Sequence, residues 1–186
     1  DMWLIKTDEN GKEEWSKTYG WGYNETGFSL IQTVDNGFIL VGSKWNWKLK
    51  KHNIWIIKVG PTGVQEWDRV VDEEYSGYGH KIIQSSDGLY TIAGVTKKLG
   101  NDWWDLWMTK MDFSGNTIWE QVHTMSHIAI NNWYYVDIAP TLDGGYICVG
   151  PTDQYGLDMD AILIKFDADG NIEWNQTYGG KDEDIG

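Results

Sequence analysis

"DADGNIEWNQTYGG", residues 167–180, reads first as a cation loop, with Asp167, Asp169, Asn171 and Glu173 alternating along it as oxygen donors. The same place in the chain's rhythm is held by "DENGKEEWSKTYG" (8–20), "GPTGVQEWDRVV" (60–71) and "DFSGNTIWEQVH" (112–123). In the second and third of these the acid spacing is lost. What persists is Lys-x-x-x-x-Gly-x-x-x-Trp: Lys6, Lys58, Lys110 and Lys165; Gly11, Gly63, Gly115 and Gly170; Trp15, Trp67, Trp119 and Trp174. The steps are 52, 52 and 55 residues. A feature kept while its acids vary is a turn, where Asp accepts backbone N–H bonds. The 167–173 stretch also lacks a bidentate acid at the distance that completes a calcium cage. No metal and no cofactor is expected.

A second element alternates with the first: "FSLIQTVDNGFILVG" (28–42), "HKIIQSSDGLYTIAG" (80–94) and "VDIAPTLDGGYICVG" (136–150). In each, two β-prone runs flank Asp-Asn-Gly, Asp-Gly or Asp-Gly-Gly, the residues that supply positive φ in a tight hairpin. The first element is a hairpin too. Its leading strands are "MWLIK" (2–6), "IWIIK" (54–58), "LWMTK" (106–110) and "AILIK" (161–165), each followed by a Gly turn and a strand centred on Trp. "FILVG" and "IWIIK" are almost continuously apolar, so both faces should be covered. The Trp15 strand alternates with Glu14, Ser16 and Thr18, as where one face meets water. Three buried strands and an alternating outer one, repeated about every fifty residues, predict an all-β propeller of four-stranded antiparallel blades. One or two packed β-sandwiches are the alternative, but they leave the fixed spacing unexplained.

"Ile-Ile-Gln-Ser-Ser-Asp-Gly", "Tyr-Ile-Cys-Val-Gly" and the Ile-Lys-x-Asp-x-x-Gly-x-x-x-Trp segment resemble the tandem repeats of secreted bacterial and archaeal β-propellers. The Gly-x-x-x-Trp portion resembles the tryptophan-docking motif of quinoprotein-like propellers and, more distantly, kelch repeats. The resemblance covers essentially the whole chain. It implies that Trp15, Trp67, Trp119 and Trp174 pack against a neighbouring blade. The vicinal cysteine pair often seen in quinoprotein dehydrogenases is absent.

The expected organisation is a single propeller segment over 1–186. It has a half blade at 1–20, blades at 28–72, 80–124 and 134–179, and the start of another at 180–186. The sequence begins at Asp1 without Met and stops mid-pattern at "GGKDEDIG", so a processed or incomplete chain is expected. A ring commonly needs about four to eight blades. Either further blades of a longer chain close it, or another copy or another protein supplies the missing hairpin.

A net charge of −13 repels phosphate backbones and anionic membrane surfaces. No run of about 18 apolar residues exists to span a bilayer. Nucleic acid and membrane insertion are therefore not expected. The single cysteine, Cys148, makes no intrachain disulfide and reads as a buried strand residue. Sequons at Asn24 and Asn175 are glycosylation candidates, Asn24 the better placed because it lies in a predicted loop.

No nucleophile elbow, phosphate loop or dinucleotide fingerprint is present. Of the histidines, His123 and His127 follow an outer strand, where a four-residue step spans about 13 Å. His80 is expected to pack in a strand, and His52 to sit solvated in a basic loop. The 15% aromatic content is not exhausted by the repeat. Trp45, Trp47, Trp103, Trp104 and Tyr155 crowd the loop between the two hairpins of a blade, which emerges on one face of a propeller. Trp21, Tyr23, Tyr75, Tyr78, Trp133 and Tyr134 mark the connections between blades. These aromatics either form a binding surface or cap blade edges. The expected function is a non-enzymatic module, secreted or at the cell surface, that binds protein or glycan, with a protein partner or further copies completing the ring. The alternative is a polysaccharide-active enzyme with carboxylates in a central funnel.

Overall fold

The computed structural model describes the chain except for residues 21, 23, 72–73, 86, 99, 101–102, 125–134, 153–159 and 181–186. Its elements are all strands. Met2–Thr7 (β1) and Glu13–Tyr19 (β2) form a two-stranded sheet. Glu25–Gln32 (β3), Phe38–Asn46 (β4), Lys51–Val59 (β5) and Gln65–Val70 (β6) form a four-stranded meander. Tyr75–Gln84 (β7), Tyr90–Lys98 (β8), Asp105–Met111 (β9) and Thr117–His123 (β10) repeat it. Asp137–Pro140 (β11), Tyr146–Thr152 (β12), Asp160–Phe166 (β13) and Ile172–Tyr178 (β14) repeat it again. All pairings are antiparallel between strands adjacent in sequence, and no sheet closes on itself. Among the described residues no helix is long and apolar enough to cross a membrane.

Each sheet packs face to face on the next. Met2, Leu4 and Tyr19 meet Leu40, Trp55, Ile57 and Val59 of the second sheet. Ile39, Val41, Ile54 and Ile56 on its other face meet Ile82, Ile92 and Trp107 of the third. Ala93, Leu106 and Met108 then meet Ile138, Tyr146, Cys148 and Ile164 of the fourth. The continuous apolar runs of β5 and β9 follow from this, because alternate residues serve opposite neighbours and both sets are buried. Each such Ile contributes on the order of 1.5–3 kcal/mol by leaving water. Cys148 is buried in β12, and burial pushes its thiol up to about 12. The outer strands β6 and β10 alternate between half-buried and exposed residues.

The turns that recur from sheet to sheet lie at one end of the strands. The positive φ falls on Asn36, Gly88 and Gly144 in one set, and on Gly11, Gly63, Gly115 and Gly170 in the other. In the stretch that resembles a cation loop, Asp167 accepts the N–H of Asp169 at 2.9 Å and of Asn171 at 2.8 Å. Glu173 pairs instead with Lys165, at 3.0 Å. Asp112 makes the same turn with Ser114 and Asn116, and Asp8 with Asn10 and Lys12.

Two strands run longer than their apolar cores. β4 continues through Trp45↔His52 and Asn46↔Lys51, and β7 starts at Tyr75, opposite Lys98. Trp45, Tyr75 and Tyr78 therefore sit in strands, not in loops, because ladder pairing continues past the hydrophobic stretch.

Candidate functional site: the aromatic loop end

The connections between hairpins emerge at the end of the strands opposite the tight turns. A packed aromatic row follows that end across the second and third sheets. Trp45 contacts His52 with ring centroids 5.0 Å apart, His52 contacts Tyr78 at 5.0 Å, and Tyr78 contacts Trp104 at 5.5 Å. Trp104 is buried in the core between the third and fourth sheets. His52 is half-buried, and burial lowers its imidazole, so it belongs to this row and is not a solvated loop residue. Its Nδ1 lies 3.4 Å from the Ser43 hydroxyl.

Bulges build the floor of this region. The register slips between Gly27 and Ser29 and between Gly79 and Lys81, which turns Phe28 and His80 out of the ladder. The two rings meet at 5.5 Å, and both contact Tyr135. His80 Nδ1 accepts the Val136 N–H at 3.2 Å, linking the third sheet to the fourth. Burial holds its imidazole neutral, down to about 4.

Outside this packed row two indoles face water: Trp47 is 60% exposed and Trp103 is 52% exposed. Lys44, Trp45, Asn46, Trp47, Lys48 and Val70 line a shallow cavity of about 280 Å³. Asn46 shapes its rim, since its Oδ1 accepts the N–H of Lys48 and Leu49 at 3.1 and 3.2 Å. The Lys48 ammonium lies 5.6 Å from the Trp47 ring centroid. The five loop aromatics thus divide. Trp45 and Trp104 pack inward, Trp47 and Trp103 stay open, and Tyr155 lies outside the described residues. Trp21, Tyr23, His127, Trp133 and Tyr134 also lie outside them. His123 packs on Phe166 at 5.1 Å. Asn24 is exposed just ahead of β3, and Asn175 is exposed within β14.

At the turn end the repeat tryptophans make a regular joint. Trp15 Nε1 donates to the Pro61 carbonyl at 3.2 Å, and Trp119 Nε1 donates to the Ala168 carbonyl at 3.3 Å. A Cβ on Gly63 would lie 2.9 Å from the Trp15 ring, one on Gly115 3.1 Å from Trp67, and one on Gly170 2.9 Å from Trp119. Glycine is needed at these turns both for their positive φ and for the indole resting on them. Residues two beyond each Trp add to the joint: Arg69 donates to the Gly115 carbonyl at 3.0 Å, and Gln121 to that of Asp169 at 2.8 Å.

The repeat lysines close each sheet internally. Lys58 is buried and pairs with Asp35 at 2.9 Å and Glu66 at 3.0 Å. Lys165 pairs with Asp143 and Glu173 at the same distances. Lys110 pairs with Asp87 at 2.6 Å, and Lys6 with Glu14. Burial alone would lower the Lys58 ammonium, but the bonds from Asp35 and Glu66 outweigh it and hold it above its ordinary value. The Thr33 hydroxyl, and then Lys58, hold the Asp35 carboxyl far below the usual carboxylate range. The pairing of Glu14, Glu66 and Glu173 with the repeat lysines is not among the expectations from the sequence. Each immediately precedes a repeat Trp, a recurrence visible in three of the four copies, and each sits at a bulge that turns it toward the lysine.

Compared with known proteins, the chain matches no family model and no curated protein.

Proposed function

We propose that the chain is a segment of a β-propeller acting outside the cell or at its surface as a non-enzymatic binding platform. Its exposed loop-end indoles would take a glycan. Stacking of successive four-stranded meanders through a repeated Trp–Gly joint supports the propeller reading. The observation that carries the binding reading is Trp47, an exposed indole standing over a cavity that also offers the Asn46 amide and the Lys44 and Lys48 ammonium groups. A flat apolar face beside a few polar groups matches a sugar ring, which has one apolar face and a rim of hydroxyls. Trp103 would extend the surface along the same end.

The test is titration with cello- and chito-oligosaccharides, followed by tryptophan fluorescence and calorimetry. Binding should weaken on the order of tenfold or more in Trp47→Ala, with the fold intact by circular dichroism. Failure of both sugar series to bind the folded chain would overturn the glycan reading. Cleavage of either series would overturn the non-enzymatic one.

A further inference from the structure

Lys44 and Lys48 line the cavity beside Trp47, and among the described residues neither is paired with a carboxylate. The repeat lysines Lys6, Lys58, Lys110 and Lys165 all are, at the turn end, and Lys81 pairs with Asp137. Lys44 is half-buried and held in place: its Nζ lies 4.6 Å from the ring centroid of the buried Trp55. The Trp55 Nε1 in turn donates to Asp68 at 2.8 Å, which fixes the ring against the ammonium. Lys48 is exposed and stands by the face of Trp47. An indole face attracts a cation without neutralising it, so both charges stay available to an anion.

The same cavity recurs one repeat on with different charge. There Thr96, Trp107 and Val122 hold the places of Lys44, Trp55 and Val70, and with Tyr75 and Glu120 they line a space of about 270 Å³. The second sheet, which precedes it, has all four of its strands and leaves this space open, so the cavity is a property of the repeat. Glu120 accepts from Trp107 Nε1 at 2.8 Å, as Asp68 does from Trp55. Lys48 and Asn53 have Gly100 and Asp105 as their counterparts. One framework therefore carries two ammonium groups in one copy and, among the described residues, a carboxylate and no ammonium in the lining of the next.

We propose that the Trp47 cavity selects an acidic sugar: a pyranose stacked on the indole, with a carboxylate or sulfate substituent received by the Lys44 and Lys48 ammonium groups. The inference rests on the glycan reading of this site and adds the class of glycan. A neutral sugar offers those ammonium groups hydroxyls alone. An anionic substituent gives them charge-assisted hydrogen bonds, roughly twice as strong. The net charge of −13 does not oppose this at short range, because fields between exposed charges fade over about 8 Å at physiological salt. The counterpart cavity, with Glu120 in its wall, would repel the same substituent.

The test is calorimetry with three tetrasaccharides of one linkage: cellotetraose, its β-1,4-glucuronic acid counterpart and cellotetraose 6-sulfate. In about 20 mM salt an acidic form should bind on the order of tenfold tighter than cellotetraose, and the margin should shrink in about 200 mM salt. The tighter of the two acidic forms identifies the anionic group. Lys44→Gln and Lys48→Gln should each remove most of the margin between acidic and neutral forms, with circular dichroism that of the parent. Lys12→Gln takes the same charge from an exposed position at the turn end and should leave the margin intact. Acidic forms that bind no tighter than cellotetraose would overturn the selectivity and leave the glycan reading standing. So would a margin that survives both cavity substitutions, or one that Lys12→Gln lowers as much, since that is charge attraction without a site. Binding of none of the three would overturn the glycan reading itself, and the selectivity with it.

Discussion

The turn glycines carry two constraints that one comparison separates. Gly63 and Gly11 share a left-handed φ, but only Gly63 lies under an indole. Gly11→Ala should therefore cost about 1–2 kcal/mol, the penalty of that conformation alone. Gly63→Ala should cost more, because Trp15 and Lys17 must shift from a Cβ at 2.8–2.9 Å. Urea denaturation of both variants decides it, and equal losses would mean the indole gives way freely. These glycines were legible in the sequence, where a tight turn with an invariant offset to Trp announced them. The exposure of particular aromatics was not. Trp103 and Trp104 are neighbours of identical type, yet Trp104 packs on Tyr78 and into the core between the third and fourth sheets while Trp103 stays in water. The lysine neighbours of His52 predict a solvated side chain, but extended β4–β5 pairing carries it onto Trp45.

At the level of the element, the clamp that ties two hairpins into one sheet varies between copies. Lys58 and Lys165 each hold two carboxylates, but Lys110 has Ile118 where Glu66 and Glu173 stand in the other sheets. Ile118 is exposed at the bulge position of its strand, so Ile118→Glu should complete the clamp without opening the core. A gain of about 0.2–1 kcal/mol is expected, the range of a partly exposed ion pair, read as a higher urea midpoint at pH 7. The gain should vanish as the pH falls below about 4, where the new carboxylate takes up a proton. A midpoint at pH 7 that stays put or falls would show that the bulge does not aim this side chain at Lys110. Hairpin pairing was readable because Asp-Gly turns, β-prone runs and a fixed step all agree. The clamp was hidden, since a Glu beside Trp looks like any other acid among 28 until a bulge re-aims it.

For the whole molecule, stability should follow position in the stack. The second and third sheets are covered on both faces, while the first has two strands and an uncovered Trp3. Amide hydrogen exchange should be slowest in β5, β8 and β9 and fastest in β1, β2 and β14. Uniform protection across all fourteen strands would contradict a stack whose sheets gain their stability from neighbours. The step from one copy to the next stretches from 52 to 55 residues at the last unit, yet the Trp119–Gly170 joint is made as Trp15–Gly63 is. In the sequence the added length lies between His123 and Asp137, in the connection from β10 to β11. One rim of the molecule is therefore held to a template while the other is free to drift in length and composition, so recognition can diversify, or be grafted, without renegotiating the architecture that carries it.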